Sequence, residues 1–306
     1  MQRPLPKLSR LSTPSAHSTL VRLATFVAIL VAMAMIAMKS YAYLMTSSVS
    51  VLSSLMDSVI DAAGSIINAI AVYLAFSPAD QEHRFGHGKA EALAALGQSL
   101  FITFSAAMLV YNAVQHLWAP DPLEYTQVGI WVMVVASILT FTLVQFQRYV
   151  KRMTNSLAIE SDSLHYQGDL IANIGVMITL GLSYWFHIAW LDPLFALGVS
   201  GYLIYGAWHI GHSAFDVLMD RELSEEQRKR IMAIILAHPE VLGMHDLRTR
   251  SGGYHQFVQF HLELDQTLTL LQAHRITLEV EEAIRQEFPT MDVIIHEDPR
   301  PAPLIK

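Results

Sequence analysis

The sequence predicts a membrane protein in two parts: an all-α six-helix transmembrane domain, then a small cytoplasmic α+β domain in the order α-β-β-α-β. Three observations lead there. Of the 306 residues, 53% are hydrophobic and only 15% charged, far from the balance of an ordinary soluble domain. Six apolar stretches, near 22–44, 50–76, 92–118, 125–147, 167–187 and 191–212, each reach the roughly 20 residues that cross about 30 Å of hydrocarbon. After about residue 213 the apolar runs give way to short, periodic, polar-flanked segments.

Residues 1–21 carry Arg3, Lys7 and Arg10 among three prolines and several Ser and Thr, and read as a cytoplasmic tail. The apolar run that follows is longer than a secretory h-region, lacks an A-x-A-type cleavage site and precedes further spans, so it reads as the first helix of a 22–212 membrane domain. Lys and Arg in the short loops set the orientation. The tail, the 77–91 loop (Arg84, Lys89) and the 148–156 loop (Arg148, Lys151, Arg152) are basic, whereas 119–124 and 187–190 have neither residue. Both termini are therefore expected in the cytoplasm. Lys39 is the one basic residue near an outer end, where its stem can snorkel. No Lys or Arg is expected at the depth of the intramembrane carboxylates.

The 213–306 segment is read element by element. Ser224 suits an N-cap, and Ile231, Ile234, Ile235 and Leu236 are placed on one helical face. "VLGMHDLRTRSGGYHQFVQFHLEL" reads as two strands around the turn Ser251-Gly252-Gly253, with Val258, Phe260, Leu262 and Leu264 alternating against Gln259, His261 and Glu263. "LLQAHRITLEVEEAIRQEF" is an amphipathic helix and "MDVIIH" a short strand. One helical layer on an antiparallel sheet is expected.

Composition narrows the chemistry. A net charge of −7 without a long basic run excludes a nucleic-acid partner, because phosphate neutralisation needs clustered cations. With no cysteine and 14 histidines, any bound metal must use His, Asp and Glu. Neither H-E-x-x-H nor G-x-S-x-G occurs, so a membrane hydrolase lacks its general base or nucleophile and no enzyme is expected.

Inside the second span, "SLMDSVIDAAGSIINAI" holds Asp57 and Asp61. Their i, i+4 spacing stacks them on one helical face. In the fifth span "ESDSLHYQGDLIAN" gives His165 and Asp169, again four apart. An ionised residue at a helix centre costs roughly 2.5–3.5 kcal/mol, so three unpaired carboxylates would cost of order 10 kcal/mol. A divalent cation removes that cost. Three carboxylates and one imidazole make four N/O ligands, the set of a tetrahedral zinc site; cavity-lining or proton-carrying carboxylates without metal are the alternative.

The loop "SPADQEHRFGHGKAEAL" carries Asp80, His83 and His87. It could hold a metal or simply be solvated, and Gly86 and Gly88 oppose a continuous helix. His245, His261, His274 and His296 come from four different elements, with Asp298 after the last; they read as surface residues or a shared metal site.

With these residues in hand, the chain resembles the cation diffusion facilitator family, most closely its bacterial ferrous-iron and zinc efflux branch. The likeness runs from residue 20 to 299. "LMDSVIDAAGSIIN", "PADQEHRFGHGKAEALAALGQS", "SDSLHYQGDLIAN", "LFALGVSGYLIY", "LMDREL", "HDLRTRSGG" and "DVIIHEDP" carry it in order. The resemblance implies a transport site on Asp57, Asp61, His165 and Asp169, with His165 and Asp169 coupling protons. It implies a loop site on Asp80, His83 and His87, and a binuclear site on His245, His261, His274, His296 and Asp298. Glu297 stands where glutamine is found in relatives. The resemblance further implies a homodimer with metallochaperone-like cytoplasmic domains, and an interlocking salt bridge matching Lys89 and Asp220. It places the chain in the bacterial inner (plasma) membrane as a multi-pass exporter of Zn²⁺, or of Fe²⁺, Cd²⁺, Co²⁺ or Mn²⁺, against protons. A metal sensor without transport is the competing function.

Overall fold

The computed structural model describes residues 14–46, 49–118, 127–186 and 190–300. Two compact units are present: one joins the chain up to Phe76 with Ala90–Phe215, the other joins Ser77–Lys89 with the chain from Asp216. The expected 119–124 loop and most of the 187–190 turn lie outside the described residues.

The first unit contains six long helices: α1 (Pro14–Thr46), α2 (Val49–Ala75), α3 (Lys89–Trp118), α4 (Gln127–Thr154), α5 (Leu157–Phe186) and α6 (Leu191–Leu218). Helix α1 begins at Pro14, earlier than the span read from residue 22, and a proline fits a first turn because its missing N–H has no intrahelical partner there. Most of the expected 148–156 loop, through Thr154 and including all three of its basic residues, forms the last turns of α4. Asn155, at φ 51°, then turns the chain into α5; Asn tolerates this left-handed geometry better than most side chains. Among the described residues five of these helices are long and apolar enough to cross a membrane.

Helix α1 packs on α2 and α4, and α4 on α5. The seam on α1 is Val21, Ala24, Ala28, Ala32, Met35 and Ala42, all buried. Small side chains let helix backbones approach where lipid offers no hydrophobic drive. Polar cross-links then fix the order. Ser65 and Tyr166 share a 2.8 Å hydrogen bond between α2 and α5, Asn68 Nδ2 donates to the Ala158 carbonyl at 3.3 Å, and Gln147 Nε2 donates to Asp162 Oδ2 at 2.6 Å between α4 and α5. At one end of the bundle, His17 Nε2 lies 2.9 Å from the Thr154 carbonyl and Arg22 Nη2 donates to that of Phe76 at 3.4 Å.

The second unit comprises the 77–89 loop, α7 (Glu225–Leu236), β1 (Gly243–Gly252), β2 (His255–Asp265), α8 (Leu270–Glu287) and β3 (Met291–Arg300). Ser224 caps α7 by accepting from the Gln227 N–H, and Thr269 caps α8 in a reciprocal box with Gln272. Ile231 and Ile235 of α7, Phe260 and Leu262 of β2, Ile276, Val280 and Ile284 of α8, and Met291 and Val293 of β3 form one core. Leu236 is 56% exposed and does not share the Ile231–Ile235 face, from which its position is rotated.

The sheet order is β1-β2-β3. β1 and β2 are antiparallel, joined through Gly253 at φ +87° and Tyr254, one residue later than the expected turn. β3 pairs with β2 in parallel, so the sheet is mixed and not antiparallel. The reason is the crossover: α8 carries the chain back along the sheet, so β3 starts beside the start of β2.

Candidate metal centres

Helices α2 and α5 bring Asp61, His165 and Asp169 together, their ligand atoms all within 4.8 Å of one another. His165 Nε2 is 2.9 Å from Asp61 Oδ1 and 3.8 Å from Asp169 Oδ2. The Tyr166–Ser65 bond beside it holds α5 against α2, and the Phe101 ring meets the imidazole edge-on at 6.0 Å. Asp57 is not in that set of three, but it lines a cavity of about 450 Å³ with Asp61, His165 and Asp169. A second cavity of about 610 Å³, lined by α2 and α3 residues as far as Leu74 and Ala90, also reaches Asp61 and His165.

Lys39 corrects an expectation. Its Nζ donates to the Ser54 carbonyl at 2.9 Å and to Ser58 Oγ at 2.6 Å, so the side chain lies on α2 beside the aspartates and does not snorkel outward. Asp61, Asp169 and Asp57 are within its electrostatic reach. A signal was present: Lys39 continues the buried Met35 to Ala42 face of α1 at helical spacing.

The 77–89 loop gathers Asp80, His83 and His87. Asp80 Oδ1 accepts the backbone N–H groups of Glu82 (2.9 Å) and His83 (2.6 Å), His83 Nδ1 is 3.3 Å from that same oxygen, and His87 Nε2 is 3.3 Å from Oδ2. The His83 backbone N–H above all holds this carboxyl below the usual range. The loop is pinned to the sheet by residues the sequence reading did not single out. Phe85 meets Phe257 edge-on at 5.6 Å, and the Arg250 guanidinium lies 4.8 Å from both rings. Gly88 makes a closer approach: a Cβ there would fall 1.9 Å from the Gly252 carbonyl oxygen. Lys89 Nζ is 2.9 Å from Asp220 Oδ1.

On the sheet, His245 is the register partner of His261, and His261 of His296. Adjacent strands thus set three imidazoles in one row, with ring centroids 4.9 and 4.6 Å apart. Asp298, two residues along the same face of β3, joins His245 and His261 as a three-ligand cluster, lying 2.8 Å from His261 Nδ1, 3.2 Å from His245 Nε2 and 3.3 Å from His296 Nε2. The hydrogen bond from His261 above all lowers its pKa. Glu263, not singled out as a ligand in the sequence reading although it shares the polar face of β2 with His261, lies 3.1 Å from His245 Nδ1. A bulge between His245 and Arg248, with Asp246 at φ 50°, interrupts β1 beside the row. Glu297 points the other way, accepting from Thr277 Oγ1 of α8 at 2.7 Å. His274 is exposed on α8 and outside the cluster.

A polytopic helical bundle with a His–carboxylate cluster inside it, followed by a small α/β unit with clusters of its own, defines a class of ion-handling membrane proteins. The chain belongs to the cation efflux (cation diffusion facilitator) family: residues 25–219 match the cation efflux transmembrane domain and 223–300 the cation efflux protein cytoplasmic domain. It is 46% identical over 284 residues to the cation-efflux pump FieF of Klebsiella pneumoniae, covering 93% of this chain and 94% of that one. Against FieF of Pectobacterium carotovorum it is 45% identical over 283 residues, covering 92% and 94%. A solved structure of CzrB aligns with 26% of this chain and 98% of its own, at 35% identity and a TM-score of 0.25.

Proposed function

We propose that the protein exports a divalent metal cation, Zn²⁺ foremost, from cytoplasm to periplasm in exchange for protons, as a homodimer in the bacterial inner membrane with both termini cytoplasmic. The observation that carries this is the Asp61–His165–Asp169 cluster between α2 and α5, with Asp57 on the shared cavity. Three carboxylates facing the single ammonium of Lys39 leave two negative charges in excess when all are ionised, the complement of a divalent ion. Imidazole and carboxylate oxygens suit Zn²⁺ and Cd²⁺ and also accept Fe²⁺, Co²⁺ and Mn²⁺. Two cavities that meet at Asp61 and His165 offer a route to the cluster from either side.

Proton coupling follows from the ligands. Each must shed its proton to hold metal, so metal binding releases protons and protonation releases metal. His165 is the preferred carrier because, of the ligand types in the cluster, imidazole has the reference pKa closest to the working range. Moving one charge against 100 mV takes about 2.3 kcal/mol, so two protons per metal would make export electroneutral. The Asp80–His83–His87 and His245–His261–Asp298 clusters are proposed as further metal sites, the latter with His296 and with His274, which lies outside the cluster within the chain; the sheet site would regulate transport by binding metal better in the active arrangement.

The test is zinc flux in proteoliposomes under a reversible pH gradient, for the native chain, Asp61→Ala, His165→Ala and the paired His245→Ala/His261→Ala. Gradient-dependent flux that the first two variants abolish is the expected result, with the paired variant altering its dependence on metal concentration. Flux that survives Asp61→Ala and His165→Ala overturns the transport site; flux indifferent to the gradient overturns antiport.

A further inference from the structure

We propose that a cavity between α4, α5 and α6 binds the anionic headgroup of a membrane phospholipid. This inference does not depend on the transport reading. The cavity, about 430 Å³, is lined by Arg148, Lys151 and Arg152 from the last turns of α4 and by Tyr202 and Tyr205 from α6. Among the lining residues Glu160 is the single carboxylate, and Lys151 Nζ takes it at 2.7 Å. Two cations therefore remain uncompensated. Arg148 Nη2 donates to the neutral Gln167 Oε1 at 2.7 Å, and exposed Arg152 has no acidic partner among the described residues.

The arrangement goes beyond scattered surface charge. Gln167 Oε1 also accepts from Tyr202 Oη at 3.0 Å, so one amide oxygen orients a guanidinium and a phenol at the same cavity. A guanidinium presents its donors in a planar fork that matches phosphate oxygens. Tyr205 and Trp208, one turn apart on α6, are 75% and 74% exposed, the residue types that sit at headgroup level. The α4 end also lies with the N-terminal part of α1 and the C-terminus of α2, where His17 and Arg22 bond to Thr154 and Phe76, so the cavity belongs to one end of the bundle and not to its hydrocarbon middle. A preference for cations at basic loops or at a helix C-terminus explains the charges but not an amide-aligned cavity with phenols. Basic pockets between helices at a membrane surface are the form that anionic headgroup sites take.

The experiment is native mass spectrometry of the purified full-length protein titrated with phosphatidylglycerol or with phosphatidylcholine, using the native chain, R152Q, R148Q/R152Q and, as a remote control, R228Q/K229Q on α7. The expected result is tighter retention of phosphatidylglycerol by the native chain and the control, weakened about fivefold by R152Q and further by the double variant. Equal retention of the two lipids overturns the proposal, as does retention unchanged in R152Q, which decides the matter if the double variant does not fold. Displacement of phosphatidylglycerol by millimolar inorganic phosphate also overturns it, reassigning the cavity to a soluble anion.

Discussion

The shared faces of Asp57 with Asp61 on α2, and of His165 with Asp169 on α5, were legible because i, i+4 spacing fixes them before any packing is known; that the two helices bring Asp61 beside His165 is a fact of packing. Lys39 was not legible in the same way. Its depth against Ser54 and Ser58 is set by how α1 packs on α2, a fact of helix pairing that hydropathy along one segment does not contain. Its consequence is testable. An ammonium beside the aspartates competes electrostatically with an incoming cation, so Lys39→Met should tighten zinc binding, measured by calorimetry on the purified protein, by roughly fivefold to tenfold. Unchanged or weaker binding would mean that Lys39 serves only the α1–α2 contact. Glu297 carries the same lesson in the second unit: alternation along β3 puts it on the face opposite His296 and Asp298, where it bonds to Thr277 of α8.

At the scale of elements, periodicity located α7, β2 and α8 well, since each hides one face in a shared core, and the caps at Ser224 and Thr269 are local chemistry. Strand direction was not local. The parallel pairing of β3 is decided by the path of α8, and the histidine row by cross-strand register, neither of which alternation specifies. The loop over the sheet yields two predictions. Gly88→Ala would press a methyl against the Gly252 carbonyl oxygen, backbone that cannot swing aside, so the loop should lift; thermal unfolding of the purified protein should fall by several degrees and the Phe85–Arg250–Phe257 contact should be lost to mutational coupling analysis. Asp220 gives a pH signature. Partial burial raises its pKa, but the hydrogen bond and charge of Lys89, with Arg250 adding to them, outweigh that and leave it lowered. A carboxyl depressed in the folded state stabilises above its unfolded value, about 3.9, and loses that contribution as pH falls through the lower folded value. Being half exposed, the pair contributes less than about 1 kcal/mol. The stability deficit of Asp220→Asn, measured by denaturant unfolding, should therefore be constant from pH 5 to 8 at less than about 1 kcal/mol and shrink below pH 4; a deficit that persists in acid would assign the effect to packing.

For the whole molecule, the division into a helical membrane-type unit and a small α/β unit was readable from composition alone, because a bilayer demands long apolar runs. The membership of the 77–89 loop was not, since it follows Phe85, Gly88 and Lys89 meeting residues far along the chain. Orientation can be tested directly because the chain has no cysteine. Gln81→Cys in the basic loop should react with a membrane-impermeant maleimide only after the inner face is opened, and Asp121→Cys in the loop without Lys or Arg should react in intact cells; the reverse pattern would invert the topology.

The chain crosses between its two units at three places, after Phe76, after Lys89 and after Phe215. A domain hung on a single linker swivels freely and transmits almost no torque. One held by three covalent strands cannot turn without pulling on its attachments, and two of these are the C-terminal end of α2 and the N-terminal end of α3. The helix bearing Asp57 and Asp61 thus runs, by way of residues 77–89, directly into the unit that bears the histidine row.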